Sequence, residues 1–133
     1  MLYFFAPIIG WVAAGSLKYF INYLKSGKEA KQLVGNGGFP SNHTTTITSV
    51  VSLIGCREGF DSPIFGLGIA VLMIIIFDAT GLRRYVGHHA TVLNTLTSVE
   101  KSKLRERIGH SKVEVLGGLG LGSIIGVVLY FIS

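Results

Sequence analysis

Charge is scarce in this sequence and cysteine nearly absent. Only 14% of the 133 residues are Asp, Glu, Lys or Arg, where a soluble domain carries about a quarter. That shortfall excludes a disordered tail, a coiled coil and a charged nucleic-acid module. The single cysteine, Cys56, excludes an internal disulfide and a Cys-based zinc site. It sits in an apolar run and reads as a packed thiol. Acid is rarer than base, 7 Asp+Glu against 12 Lys+Arg, for a net charge of +5. No repeat and no low-complexity linker divides the chain, so residues 1–133 read as one integral-membrane domain.

What is abundant is apolar: 49% of the residues, with 18 glycines and a mean hydropathy of +0.55. A basic balance points to nucleic acid or to an anionic membrane; the apolar runs decide for the membrane and against nucleic acid. Leu2 to Leu17 carries no charge, and the pattern resumes after Lys18 as far as Leu24. Crossing the hydrocarbon takes about 20 helical residues, so this is one span. A cleavable signal peptide would want positive charge before its apolar core, yet Lys18 and Lys25 follow it. The stretch therefore reads as a retained helix. Ser41 to Cys56, rich in Thr and Ser, is a second and shorter span, better suited to packing inside protein than to facing lipid. Ser62 to Phe77, extendable to Leu82, is a third, and Val115 to Ser133 a fourth. The expected fold is all-α: a polytopic bundle of about four spans.

The connections add detail. Arg57 to Asp61 forms a tight turn, after which Ser62-Pro63 supplies an N-cap and a proline at the first helical position. Gly87 to Gly109 places Val92, Leu93, Leu96, Val99, Leu104 and Ile108 at helical spacing. Opposite them stand Lys101, Lys103, Arg105 and Arg107. An amphipathic cytoplasmic helix between spans three and four is expected there, at the membrane surface or capping the bundle. Threading four spans up and down puts every basic residue except Arg57 on one side. The positive-inside rule makes that side cytoplasmic, in a cell-membrane protein.

Ionisable groups at membrane depth are costly and mark function. Lys18 and Lys25 close span one; Pro40, Ser41 and His43 open span two. Asp78, Arg83 and Arg84 close span three; His110 and Glu114 open span four. The threading brings all four ends together. Cations and helix N-termini favour an anion with several oxygens, such as phosphate, and Gly35-Asn36-Gly37-Gly38 can bring backbone N–H groups to it. One histidine can attack phosphorus while the other protonates the leaving oxygen. A carboxylate one turn after a histidine, as in His110-x3-Glu114, can fix its tautomer. No cluster suits a dedicated metal site.

These motifs resemble those of the type-2 phosphatidic acid phosphatase superfamily, which includes bacterial acid phosphatases and vanadium-dependent haloperoxidases. Gly37 to His43 resembles its second motif, Pro-Ser-Gly-His, and Lys18 with Lys25 looks like its first, K-x6-R-P. Arg83-Arg84 with His110-x3-Glu114 looks like a split third motif. The nearest pattern is the divergent membrane branch, with GG-x-PSSH, D-A-x-G-x-R-R and LGH-x3-E-V in order. The likeness covers nearly the whole chain. It implies His110 as the nucleophile forming a phosphohistidine, Glu114 as its orienting carboxylate and His43 as the acid for the leaving alcohol. It implies further that Ser41 bonds a phosphoryl oxygen, that Lys18, Lys25 and one of Arg83 and Arg84 clamp the others, and that no metal cofactor is used. Departures are Lys25 for Arg, Ser26 for Pro, Asn42 for Gly, and an arginine pair about two dozen residues before His110. The implied function is a lipid phosphatase, and the cytoplasmic placement read from the charge count favours phosphatidylglycerophosphate or phosphatidic acid as its substrate. A non-catalytic carrier of lipid phosphates and a polyprenyl diphosphate phosphatase are the alternatives.

Plainer roles compete. Lys18 and Lys25 suit snorkelling lysines, and Ser41 an N-cap. Ser111-x-x-Glu114 is a capping box, a role hard to combine with orienting His110. Asp78 is expected to pair with Arg83 or Arg84, and His88 and His89 to lie on a surface loop. Gly118, Gly122 and Gly126 form a small-residue stripe for close helix packing, within the bundle or in a homodimer.

Overall fold

In the computed structural model, residues 2–26, 38–96, 104–106 and 108–132 are described. The described residues are helical apart from short connections. The helices are α1 (Leu2–Ser26), α2 (Asn42–Glu58), α3 (Pro63–Phe77), α4 (Arg83–Leu96) and α5 (Lys112–Phe131), with a π-helical turn, Asp78–Leu82, joining α3 to α4. The sequence punctuates these boundaries as expected. The Ser41, Ser62 and Ser111 hydroxyls accept the N–H groups of Thr44, Phe65 and Glu114, each satisfying one donor left open at a helix start. Pro63 sits in the first turn of α3, where its missing N–H costs nothing.

The most polar helix is the central one. α2 packs chiefly against α5 and α1, and less against α3. It is buried along Thr44, Thr45, Thr48, Ser49, Val51, Leu53 and Gly55. Its hydroxyls are largely satisfied nearby: Thr45 donates to the Ser41 carbonyl at 2.8 Å, and Ser49 reaches the Ala6 carbonyl of α1 at 2.9 Å. The glycine stripe of α5 lies on this helix, which places that packing inside the bundle. A β-carbon at Gly118 would stand 2.8 Å from the Thr44 Cβ, one at Gly122 2.6 Å from the Thr48 Cβ, and one at Gly126 2.6 Å from the Ser49 carbonyl. Gly122→Ala should therefore cost about 1–3 kcal/mol of stability, read as a lowered thermal midpoint in detergent. Gly120→Ala, with open space around it, should leave the midpoint nearly unchanged.

These contacts also set directions. Ser41 lies against Gly118 and Leu53 against Gly126, so α2 and α5 run parallel. Tyr3, at the start of α1, donates to Glu58 at the end of α2. Gly68 of α3 meets Val51, and Phe65 meets Gly55. Both α1 and α3 thus run opposite to α2.

Among the described residues, three helices are long and apolar enough to cross a membrane: Leu2–Lys25, Pro63–Leu96 and Lys112–Phe131. α2, at 17 residues and about 25 Å, is enclosed by the others and differs from them in composition, as a helix facing protein does.

The amphipathic helix expected over Gly87–Gly109 needs correction. The helical part begins at Arg83, continues α3 through the π turn, and is described to Leu96; Leu104 and Ile108 are not helical. The cause lies in α4. The Asn94 side chain donates to the Leu104 carbonyl and accepts from the Leu104 N–H, both at 2.8 Å, and also donates to the Glu106 carboxylate. This amide pairs with the chain as a backbone unit would and holds residues 104–106 against α4 as a non-helical return segment. Val99, Lys101, Lys103 and Arg107 lie outside the described residues.

Candidate active site

The four converging segments meet at one end of the bundle. Lys18, on α1, lies against Gly38, its Cδ and Cε 3.8 Å from where a Gly38 β-carbon would stand. The Ser41 N–H donates to the Glu114 carbonyl at 2.9 Å, tying the start of α2 to that of α5. The His110 N–H donates to the Ala79 carbonyl at 2.9 Å, tying α5's entry to the π turn. The rings of His43 and His110 lie 6.2 Å apart, edge to face, within reach of one phosphoryl group.

Glu114 joins two of these segments, the approach to α2 and the start of α5, with one carboxylate. Its Oε2 accepts the Ser111 N–H at 2.9 Å and faces His110 Nδ1 at 3.1 Å, while Oε1 accepts the Gly38 N–H at 3.1 Å. Capping α5 and orienting His110, two roles that are hard to combine on sequence grounds, are met by one oxygen atom. With the proton on Nδ1, the Nε2 lone pair of His110 is free to act as base or nucleophile.

Gly38 also requires a correction. Its N–H was expected to meet an anion directly, but it donates to Glu114, and its φ of +96° favours glycine. Gly35, Asn36 and Gly37, expected beside it, lie outside the described residues.

The π turn explains the third segment. Its wider winding lets the Arg83 N–H reach the Asp78 carbonyl five residues back, and the Ala79 carbonyl accepts from His110. Such turns often mark functional sites. Asp78 pairs with Arg83 through the guanidinium Nε. The two arginines then part: Arg83 acts electrostatically on both histidines, whereas Arg84 packs its stem on Gly109 and lines a separate cavity.

Lys18 is only 6% exposed and forms no hydrogen bond or ion pair among the described residues. Lys25 is exposed, two turns or about 10 Å further along α1, and the described residues do not bring it to the histidines. Ser41 is fully buried beneath the site, its hydroxyl accepting both the N–H and the hydroxyl of Thr44. His88 and His89, expected on a loop, are exposed on α4.

His110 is 7% exposed. Burial pushes its pKa below the ordinary 6.5, the nearby charges of Lys18 and Arg83 add to this, and the Glu114 hydrogen bond opposes it. The ring is therefore neutral at pH 7. Its unfolded form takes a proton first as pH falls, so this group's stability contribution is present above pH 6.5 and is lost below it. The corresponding prediction is an acid limb in kcat/KM lying below the ordinary histidine range. Glu114→Gln, which removes the opposing carboxylate, should move that limb to lower pH still.

Sequence reasoning missed Asn94, the Ala79 carbonyl and the role of Gly109. Gly109 has φ +101°, and a β-carbon there would stand 2.9 Å from Arg84 Cγ and 3.0 Å from the Ala79 carbonyl. The glycine before His110 was a readable signal. The π turn and the Asn94 clamp had none.

The molecule is an α-helical protein with membrane-length helices that gathers two histidines, a carboxylate-held imidazole and one buried cation, Lys18, at one bundle end. The chain belongs to the Divergent PAP2 family, whose model matches residues 2–125. It is 32% identical to YuiD of Bacillus subtilis (strain 168), an uncharacterised membrane protein, over 139 aligned positions covering 90% of this chain and 88% of the relative. No solved structure matches.

Proposed function

We propose that the protein is a lipid phosphate phosphatase that works without a metal, through a phosphohistidine on His110. The observation that carries this reading is the buried Lys18 side chain beside two imidazoles, with no hydrogen bond or ion pair among the described residues. It is attracted by a Glu114 carboxylate already engaged by Gly38, His110 and Ser111. A cation in that position costs free energy unless an anion joins it, and a phosphoryl group supplies one. His110 Nε2 attacks phosphorus as the bond to the leaving alkoxide breaks, and His43 gives that oxygen its proton. His43 then takes a proton from water, whose oxygen displaces the imidazole, releasing phosphate and restoring His110. Lys18 and Arg83 hold the non-bridging oxygens as charge builds. Lys25, Arg84 and Ser41 are left with lesser parts: charge at a distance, a neighbouring cavity, and the cap that seats His43.

The apolar helices suit a substrate whose chains stay in the bilayer, and the cationic end of the bundle is assigned to the cytoplasm. Phosphatidylglycerophosphate or phosphatidic acid fits that placement. Purified protein should release phosphate from such monoesters in EDTA at the rate seen without it. Saturable binding with no release would make the protein a carrier, and a marked preference for polyprenyl diphosphate would change the substrate class.

A further inference from the structure

We propose that the cavity beside α4 is a second, non-catalytic phosphate site, distinct from the histidine pair and independent of any turnover there. An open cavity of about 630 Å³ lies between α4 and the return segment, lined among others by Thr80, Arg84, Tyr85, His88, Thr91 and Glu106. Its polar groups are unevenly committed. The Thr80 and Thr91 hydroxyls donate to the carbonyls of Ile76 and Gly87, and the Glu106 carboxylate takes the Asn94 amide. Arg84, Tyr85 and His88 have no hydrogen-bond or ion-pair partner among the described residues. Arg84 and His88, four apart on α4, share a helix face. The unused groups are thus a guanidinium, a phenol and an imidazole: donors for an oxyanion.

Position narrows the ligand. Pro63 to Leu82 accounts for about 30 Å of helix, the thickness of the hydrocarbon core. Thr80 and Arg84 therefore stand at headgroup level, with Tyr85 where interfacial tyrosines concentrate. A phosphate group reaches this depth either on an anionic lipid headgroup or as free phosphate. The site adjoins His110 through Gly109, on which the Arg84 stem packs.

The test uses the full-length protein in a nonionic, phosphate-free detergent, with 13C-labelled histidine rings followed by NMR and His88 assigned through His88→Gln. Inorganic phosphate is titrated in one arm and short-chain phosphatidylglycerol in the other. The His88 signal should shift saturably in at least one arm, and the responding arm identifies the source. Arg84→Gln should weaken that response about tenfold or more, while Arg83→Gln leaves it in place. Retention of the other histidine signals in Arg84→Gln shows that the variant is folded. No His88 response in either arm, or a response unaltered by Arg84→Gln, would overturn the proposal. Phosphate release by the parent protein is read separately, so failure here and failure of the phosphatase reading are distinguishable.

Discussion

His110→Ala is expected to lower phosphate release from a lipid monophosphate on the order of 10⁴-fold, with the fold retained. Retention follows from the geometry. The contact that anchors residue 110 is its backbone N–H to the Ala79 carbonyl, which alanine keeps. Glu114 also keeps its bonds to Gly38 and Ser111. The other imidazole is a poor substitute because no carboxylate is hydrogen-bonded to His43 among the described residues. Alanine leaves a space where the ring stood, so added imidazole should restore part of the rate. A thermal midpoint close to the parent's, together with this rescue, separates lost chemistry from lost structure.

His43→Ala should have a second large effect, one that depends on the leaving group. A general acid contributes about 10²–10⁴-fold where the departing oxygen needs a proton. An alkyl lipid phosphate, whose alkoxide is a poor leaving group, should show that full loss. A nitrophenyl phosphate leaves as a stable phenolate and should show a much smaller one. Comparing kcat/KM for the two substrates in parent and variant checks the assignment. Equal losses on both would mean that His43 positions the phosphoryl group or the fold instead of moving a proton. His43 is exposed at the second residue of α2, so truncating it disturbs little packing.

The convergence of four helix ends could be read from the sequence because burying charge in apolar surroundings is expensive. Lys18, His43, Arg83 and His110 had to face one another or water. The glycine stripe was equally plain, since only close backbone approach explains Gly118, Gly122 and Gly126 on one face. Glu114 was harder. Its spacing from Ser111 and from His110 proposes two roles, and only three-dimensional placement shows that one oxygen serves both while the other takes the Gly38 N–H. The π turn and the return segment were not legible. Val92, Leu93, Leu96, Leu104 and Ile108 fit a helical period, yet the Asn94 amide pairs with Leu104 in place of a helical neighbour. Local periodicity cannot report a side chain that binds a backbone ten residues on. The choice between adjacent arginines was hidden for the same reason, because the π turn sets which way each one points.

In the proposed cycle His110 carries the phosphoryl group during turnover. Mixing the protein with a lipid substrate labelled with 32P in its monoester, quenching within one turnover and digesting the protein tests this directly. A phosphohistidine at position 110 gives a label that is stable to alkali, labile to acid, confined to the peptide containing His110, and absent from His110→Ala. Phosphate release by the parent with no labelled protein at any quench time, or a label that persists in His110→Ala, would contradict it.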